Sequence, residues 1–406
     1  MSQPNQLLKS TYPSSRIWTA IILGSLASFG PLSMDMYLPA LPNLASELHA
    51  TTSVTQLSLT ACLLGLALGQ LIAGPISDVR GRRLPLIIGV AIYAIVSLLC
   101  VYSTSIEIFI LLRFIQGLAG AVGIVISRAS VRDLYSGVEL TKFFALLMLV
   151  NGAAPILAPI LGAGILEFTS WRGVFGVLCL SGVLMLLGVI FGLKETLPVE
   201  RRSRGGIRNT LKTFRRLMRD SAFMGYALTQ GFVMAAMFAY ISGSSFVLQE
   251  LFGVSPQIYS LIFGLNGAGI IIAGQIAGRL AGRVSERKLL GTGLVMSSSG
   301  GLLLLVAALT HQGLYLILPA LFLVVSSVGI IATMTSSLAL QSQGQSAGTA
   351  SALLGMLSFI IGGIVAPLVG IGGTQTILPL AIVMAVLVLA AVTCFITLSK
   401  KTSIKI

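Results

Sequence analysis

"GPISDVRGRR", residues 74–83, follows an apolar run and returns in altered form as "GQIAGRLAGR" at residues 274–283. Gly74, Ile76 and Arg83 recur as Gly274, Ile276 and Arg283, each at the end of a second or an eighth apolar run. The chain therefore reads as one unit built twice in parallel. Around this repeat the 406 residues are 55% hydrophobic and only 9% charged, with a mean hydropathy of +0.97. A soluble domain carries about 25% charged residues, so a soluble fold is excluded. Runs of about 20 residues, long enough to cross a bilayer, fall at 17–41, 53–77, 84–103, 106–127, 141–166 and 173–193. Six more fall at 222–248, 256–280, 287–309, 312–336, 347–371 and 375–398. The expectation is an all-α membrane protein of twelve transmembrane helices. They form two pseudo-symmetric six-helix bundles, residues 1–193 and 221–406, joined by a linker at 194–220.

The net charge of +14 would suit nucleic acid if the basic residues clustered on one soluble face. They lie instead in alternate loops. With both termini cytoplasmic, every lysine and arginine except Arg113 and Arg172 falls on the inner side, which is the positive-inside pattern. No nucleic-acid partner is expected, and membrane lipids are. Cys62, Cys100, Cys179 and Cys394 all lie in spans at unrelated spacings, which suits neither a disulfide nor a metal site. His49 and His311 fall near outer loops and read as solvated residues. The linker, "KETLPVERRSRGGIRNTLKTFRRLMRD", repeats Ile207, Leu211, Phe214 and Met218 at helical spacing, with Arg208, Lys212, Arg215 and Arg219 on other faces. That is the pattern of an amphipathic helix lying on the inner membrane surface.

Charges inside the spans carry the functional expectation. Asp35 interrupts the first span in "PLSMDMYLPALP", residues 31–42. A carboxylate at bilayer depth costs roughly 2.5–3.5 kcal/mol on insertion scales, so it marks a coupling or binding site, or a tie between helices. The repeat places Ala235 opposite it, so the acid is no part of a duplicated scaffold. Pro31 removes the helical bond to Ala27 and is expected to bend the helix around the acid. Arg113 begins "RFIQGLAGAVG", where Gln116, Gly117 and Gly120 share its helix face. At 1.5 Å per residue Arg113 and Asp35 both lie roughly 10 Å below the outer surface, level for pairing. Tyr37, Gln116, Asn151, Tyr240 and Asn266 are the remaining polar candidates to line a cavity, with helix-to-helix hydrogen bonds as the alternative role. In the loop at 74–83, Gly74 lets helices approach and Gly81 permits a tight turn. Asp78 with Arg82 and Arg83 can form a charge-assisted latch. In "NGAAPILAPILGAG", Gly152, Pro155, Pro159 and Gly162 offer close packing and local bending, with Gly264, Gly267, Gly269 and Gly274 as partners.

Over nearly its full length the chain resembles the major facilitator superfamily. Gly74, Asp78, Gly81, Arg82 and Arg83 match its signature between helices two and three. "RFIQGLAGAVG" resembles its helix-four motif, and the stretch around Pro155 and Pro159 its antiporter motif. "SMDMYLPALP", "GQLIAGPISD" and "VRDLY" are similar to the bicyclomycin-resistance and chloramphenicol or florfenicol exporter group. The resemblance implies proton-coupled efflux of small, mostly apolar drugs by alternating access across a bacterial inner membrane, by a monomer. It also implies proton-coupling roles for Asp35 and Arg113. The proton is the coupling ion, no other cofactor or metal is implied, and no enzyme activity is expected. No phosphate-binding G-x-x-x-x-G-K-[ST] run is present. Import of a metabolite such as a nucleoside is the alternative within transport, and a non-transporting receptor or channel the alternative outside it.

Overall fold

The computed structural model describes residues 13–135, 137–202, 207–341, 343, 347–373 and 375–399, all helical or in short connections. Helices α1 (Pro13–Ala27), α2 (Phe29–Asp35) and α3 (Leu41–Glu47) together make the first crossing. Then come α4 (Thr52–Arg80), α5 (Arg83–Val101), α6 (Ile106–Leu134), α7 (Gly137–Leu166) and α8 (Trp171–Gly192). The linker helix α9 (Ile207–Leu217) leads to α10 (Ser221–Phe246), α11 (Pro256–Leu280) and α12 (Glu286–Leu309). The chain closes with α13 (Leu314–Leu340), α14 (Ala347–Val365) and α15 (Leu378–Leu398). Among the described residues, ten helical segments are long and apolar enough to span, and the bent pair Ile21–Ala27 with Phe29–Glu47 makes an eleventh. With α7, whose residues Ala153–Leu166 are an apolar stretch, these give the twelve crossings of the fold.

The first crossing differs from the expectation of one helix over 17–41. It continues to Glu47 and bends by 42° between Ala27 and Phe29. Pro31 cannot donate to Ala27, and the helix breaks where that bond is missing. A second interruption follows Asp35, where Met36 and Tyr37 lead into a 3₁₀ turn at Leu38–Ala40.

Small residues set the spacing of the long helices, as they do in lipid, where no hydrophobic force drives helix against helix. A Cβ on Gly65 of α4 would stand 2.2 Å from the Phe114 carbonyl oxygen of α6, and one on Gly117 would stand 2.2 Å from that of Cys62. In the second half, a Cβ on Gly329 of α13 would stand 2.0 Å from the Ile270 carbonyl oxygen of α11. The repeat read in the sequence is thus a repeated helix contact.

Two other expectations change. Gly264 and Gly267 do face Ile156 of α7, but Gly269 and Gly274 face Ser326 and Gly329 of α13. Each α-helix has several faces, and residues five apart point to different neighbours. On α9, Phe214 and Leu217 are seated on protein, buried in a cluster with Phe223, Tyr226, Leu290 and Leu353, while the side chains of Ile207 and Leu211 lie outside the described residues. Met218, grouped with Phe214 by sequence spacing, stands exposed at 57%. His49 and His311 have a positive φ of 50° and 52° and end α3 and α12. Ala50 and Gln312 close the same backbone turn onto Ala45 and Ala307, so both histidines serve as helix caps.

Candidate transport site

Breaking the first crossing after Asp35 frees a main-chain carbonyl, and that carbonyl organises the site. The last carbonyls of a helix have no intrahelical donor. Ser33, two residues before the end of α2, offers its carbonyl oxygen to Arg113 Nη2 at 2.7 Å. The guanidinium is fully buried at 0% exposure. Its Nη1 donates to Gln116 Oε1, and its Cζ lies 4.4 Å from the centre of the Tyr37 ring. Charged donors and an aromatic face offset part of the cost of burying this cation.

Each neighbour is fixed in turn. Gln116 donates to Ser97 Oγ at 2.7 Å, and Ser33 Oγ pairs with the Tyr93 hydroxyl at 2.7 Å. The Tyr37 hydroxyl pairs with Ser58 Oγ at 3.0 Å. Four spans, through Ser33, Ser58, Ser97 and Arg113, therefore converge on one polar knot inside an apolar bundle. Sequence reasoning misses Ser33, Ser58, Ser97 and Tyr93, because a serine or tyrosine in an apolar run is common and carries no charge to flag it.

Asp35 stands beside this knot but is not part of it. It forms no ion pair with Arg113, although their depth in the sequence reading suits a pair. The orphan carbonyl of Ser33 and the Gln116 amide take the guanidinium first. Asp35 is buried at 4% exposure, and its Oδ1 has no hydrogen-bond partner among the described residues. The carboxyl lies within electrostatic reach of Cys62 on α4 and, across the other half, of Tyr240 on α10 and Tyr259 on α11. Asn266 donates to the Tyr240 hydroxyl at 2.8 Å, and Ser244 pairs with that of Tyr259 at 3.3 Å. Tyr240 and Asn266 are thus brought together, with Tyr259 and Ser244 added. The side chains of Asn151 and Gly152 lie outside the described residues.

The interrupted segment after Asp35 also closes one end of the molecule. Leu38, in the 3₁₀ turn, accepts a hydrogen bond from Ser245 of α10 at 2.6 Å. Gly162 of α7 packs on Met36 so closely that a Cβ would stand 1.8 Å from the Met36 carbonyl oxygen. Ser260 of α11 donates to the Pro159 carbonyl at 2.9 Å, and Thr60 of α4 to the Gly363 carbonyl at 2.7 Å. Gln56 reaches the Ser242 carbonyl at 3.1 Å. These side-chain bonds join helices before α9 to helices after it. They lie from mid-depth towards the end remote from the basic loops.

At the basic end the loop at 74–83 forms a compact charge cluster within the first half. Arg82 is 3% exposed; it donates to Asp78 at 2.6 Å, to Ser77 at 2.7 Å and to Asp133 of α6 at 2.8 Å. Burial lowers the pKa of this guanidinium, but the bonds to Asp133 and Asp78 raise it further, so the net shift is upward. Glu195, beyond α8, accepts from the main-chain N–H groups of Arg82 at 2.8 Å and Arg83 at 3.1 Å. Arg83 itself donates to the Ile190 carbonyl at 2.6 Å. Gly81 has φ of +90°, and a Cβ there would stand 2.5 Å from Glu195, so its glycine is required twice over. Contrary to the expectation that Gly74 lets helices approach, a Cβ there would make only ordinary contact with Val125, at 3.8 Å, so the helix spacing does not require glycine at this position. Glu195 carries no mark in the sequence because its partner Arg82 is 113 residues away; Asp133 lies in the "VRDLY" stretch, but nothing there announces Arg82, 51 residues away, as its partner.

The chain matches the sequence pattern of the Major Facilitator Superfamily over residues 23–367 and 245–404. It is 44% identical to the uncharacterized MFS-type transporter YdgK of Bacillus subtilis (strain 168), over 97% of this chain and 98% of that one. It is 30% identical to a bicyclomycin resistance protein homolog of Haemophilus influenzae, over 94% and 96% of the two chains. Identity to multidrug resistance protein D of Escherichia coli (strain K12) is 27%, over 94% and 96%. Among solved structures, a bacterial homolog of the human lysosomal transporter Spinster superposes with a TM-score of 0.76 at 15% identity, covering 95% of this chain and 96% of the other. A mutant form of the nucleoside transporter NupG gives 0.75 at 14%, over 94% and 100%, a likeness of fold alone. Twelve crossings, a repeated helix contact, the charged loop at 74–83 and these similarities together place the chain in the Major Facilitator Superfamily, as a multi-pass membrane transporter.

Proposed function

We propose that the protein exports small, mostly apolar drugs in exchange for protons, with Asp35 as the group that carries the proton. The observation behind this is the buried Asp35 carboxyl, with an unpartnered oxygen, at a break in the first crossing just before the Leu38 turn that bonds across to α10. Burying an ionised carboxylate without partners costs several kcal/mol more than burying the protonated acid. A group so placed exchanges its proton when the halves move and its surroundings change. Arg113 holds the local field and the shape of the Ser33 turn rather than neutralising the acid. Tyr37, Gln116, Tyr240 and Asn266 line the path. The two six-helix bundles, residues 1–193 and 221–406, rock about this level on the linker at 194–220. Gly152, Pro155, Pro159 and Gly162 shape the α7 face against which they move.

Further support comes from the relatives, whose printed names speak of bicyclomycin and multidrug resistance. The basic loops set both termini in the cytoplasm of a bacterial inner membrane. Gly74, Asp78, Gly81, Arg82 and Arg83 then form the cytoplasmic gate, and the contacts at Leu38, Gly162 and Gly363 close the outer side. Energy comes from the proton alone, as a monomer without bound cofactor or metal and without chemical turnover: about 2.3 kcal/mol per 100 mV and about 1.4 kcal/mol per pH unit. The test is drug-induced proton release from purified protein. Wild type is expected to release protons on binding a neutral drug. Asp35→Asn is expected to bind the drug and release none. Release by Asp35→Asn equal to wild type moves the coupling role elsewhere.

A further inference from the structure

Lys212, Arg215 and Arg216 lie at i, i+3 and i+4 on the linker helix α9, and Arg219 follows in the turn two residues past its end at Leu217. All four side chains are exposed, and among the described residues they line an open cleft of about 400 Å³. On its other side Phe214 and Leu217 are buried against α10 and α14 residues such as Phe223, Tyr226 and Leu353. The helix is therefore seated on protein through these two residues and turns a fixed basic face outward. Lys212, Arg215 and Arg219 have no carboxylate within 4.0 Å among the described residues. Asp220, the nearest acid in sequence, is occupied as the N-cap of α10, accepting from Ala222 and Phe223. Lys212, Arg215 and Arg219, like charges held close together, repel one another, so the arrangement is favoured by an anion bridging them.

We infer that this cleft is a binding site for the phosphate of an anionic phospholipid headgroup. A lipid is favoured over a free anion by position. The cleft lies at the basic end of the bundle, and Met218, exposed at 57%, sits beside Arg219 as an apolar contact for glycerol and acyl carbons. Arginine suits the role because its planar fork binds phosphate oxygens in pairs. Such a site would hold the linker at the headgroup level while the helices on either side move. The inference stands whether or not the protein carries drugs.

The test counts lipid bound to the full-length purified protein in a neutral detergent, by native mass spectrometry during titration. The probes are phosphatidylglycerol, phosphatidylcholine and inorganic phosphate. Phosphatidylglycerol is expected to bind wild type and to lose at least about tenfold in affinity in Lys212→Gln/Arg215→Gln/Arg219→Gln, with phosphatidylcholine unaffected. A second variant, Arg279→Gln/Arg283→Gln/Lys288→Gln, removes equal charge at the same end and is expected to bind as wild type. Elution volume and melting temperature confirm that both variants fold. Equal phosphatidylglycerol binding by all three proteins overturns the inference, as does equal loss in both variants. Displacement of the lipid by millimolar inorganic phosphate overturns the lipid assignment in favour of a free anion.

Discussion

At the scale of single residues, the same type of side chain does opposite things at the two ends of the molecule. Asp35 is buried with an oxygen unpartnered, whereas Glu195, about a third exposed, accepts three main-chain N–H groups, from Arg82, Arg83 and Leu197. Burial raises the Glu195 pKa, but these bonds and the Arg202 guanidinium outweigh it, and the net shift is downward. The sign follows from linkage: a depressed carboxylate stabilises the fold above its unfolded value of about 4.3 and loses that contribution as pH falls through the folded value. Glu195→Gln is accordingly expected to cost about 1 kcal/mol at neutral pH. It is also expected to flatten the fall in thermal stability of the detergent-solubilised protein below about pH 4.5. An unchanged acid limb in the variant would show that Glu195 does not hold the loop.

At the scale of elements, the interrupted first crossing against α7 is the most sensitive contact. A Cβ on Gly162 meets the Met36 main chain, which cannot rotate away as a side chain can, whereas one on Gly164 meets nothing within 4 Å. Overpacking of this kind typically costs about 1–3 kcal/mol. Gly162→Ala is expected to lower the melting temperature and to cut transport by displacing the turn after Asp35. Gly164→Ala, on the same helix, is expected to leave both unchanged. Equal behaviour of the two variants would remove the packing account of this motif.

At the scale of the whole molecule, the described side-chain hydrogen bonds between the halves shut the end remote from the basic loops. Thr60 and Gly363 are in contact across the halves: Thr60 donates to the Gly363 carbonyl at 2.7 Å, and a Cβ on Gly363 would lie 3.7 Å from Thr60 Cγ2. The pair Thr60→Cys/Gly363→Cys is expected to cross-link on oxidation and to stop vesicle transport, with activity restored by a reductant. Drug binding from the basic side is expected to persist in the oxidised form. Transport at the normal rate through the oxidised protein would rule out alternating closure at this contact.

The sequence by itself determined the crossings, the repeat and the asymmetry of charge, since each depends only on residue type along the chain: apolar length, spacing and the cost of charge in lipid. It also marked Asp35, Arg113 and the Gly81–Arg83 turn, because a charge or a glycine in those settings has few cheap explanations. Only the tertiary structure decided the partners. That Arg113 takes the Ser33 carbonyl instead of Asp35 follows from a helix break, and the break frees an acceptor that no residue type announces. That Glu195 and Asp133 complete the loop cluster follows from chain segments far apart meeting in space. Spans that are apolar all round carry little periodicity to say which face meets protein and which meets lipid. The seat of Phe214 and Leu217, the glycines that face α13 and the closure at Leu38 were therefore set by packing, where backbone contact distance rather than hydrophobicity is the selecting quantity.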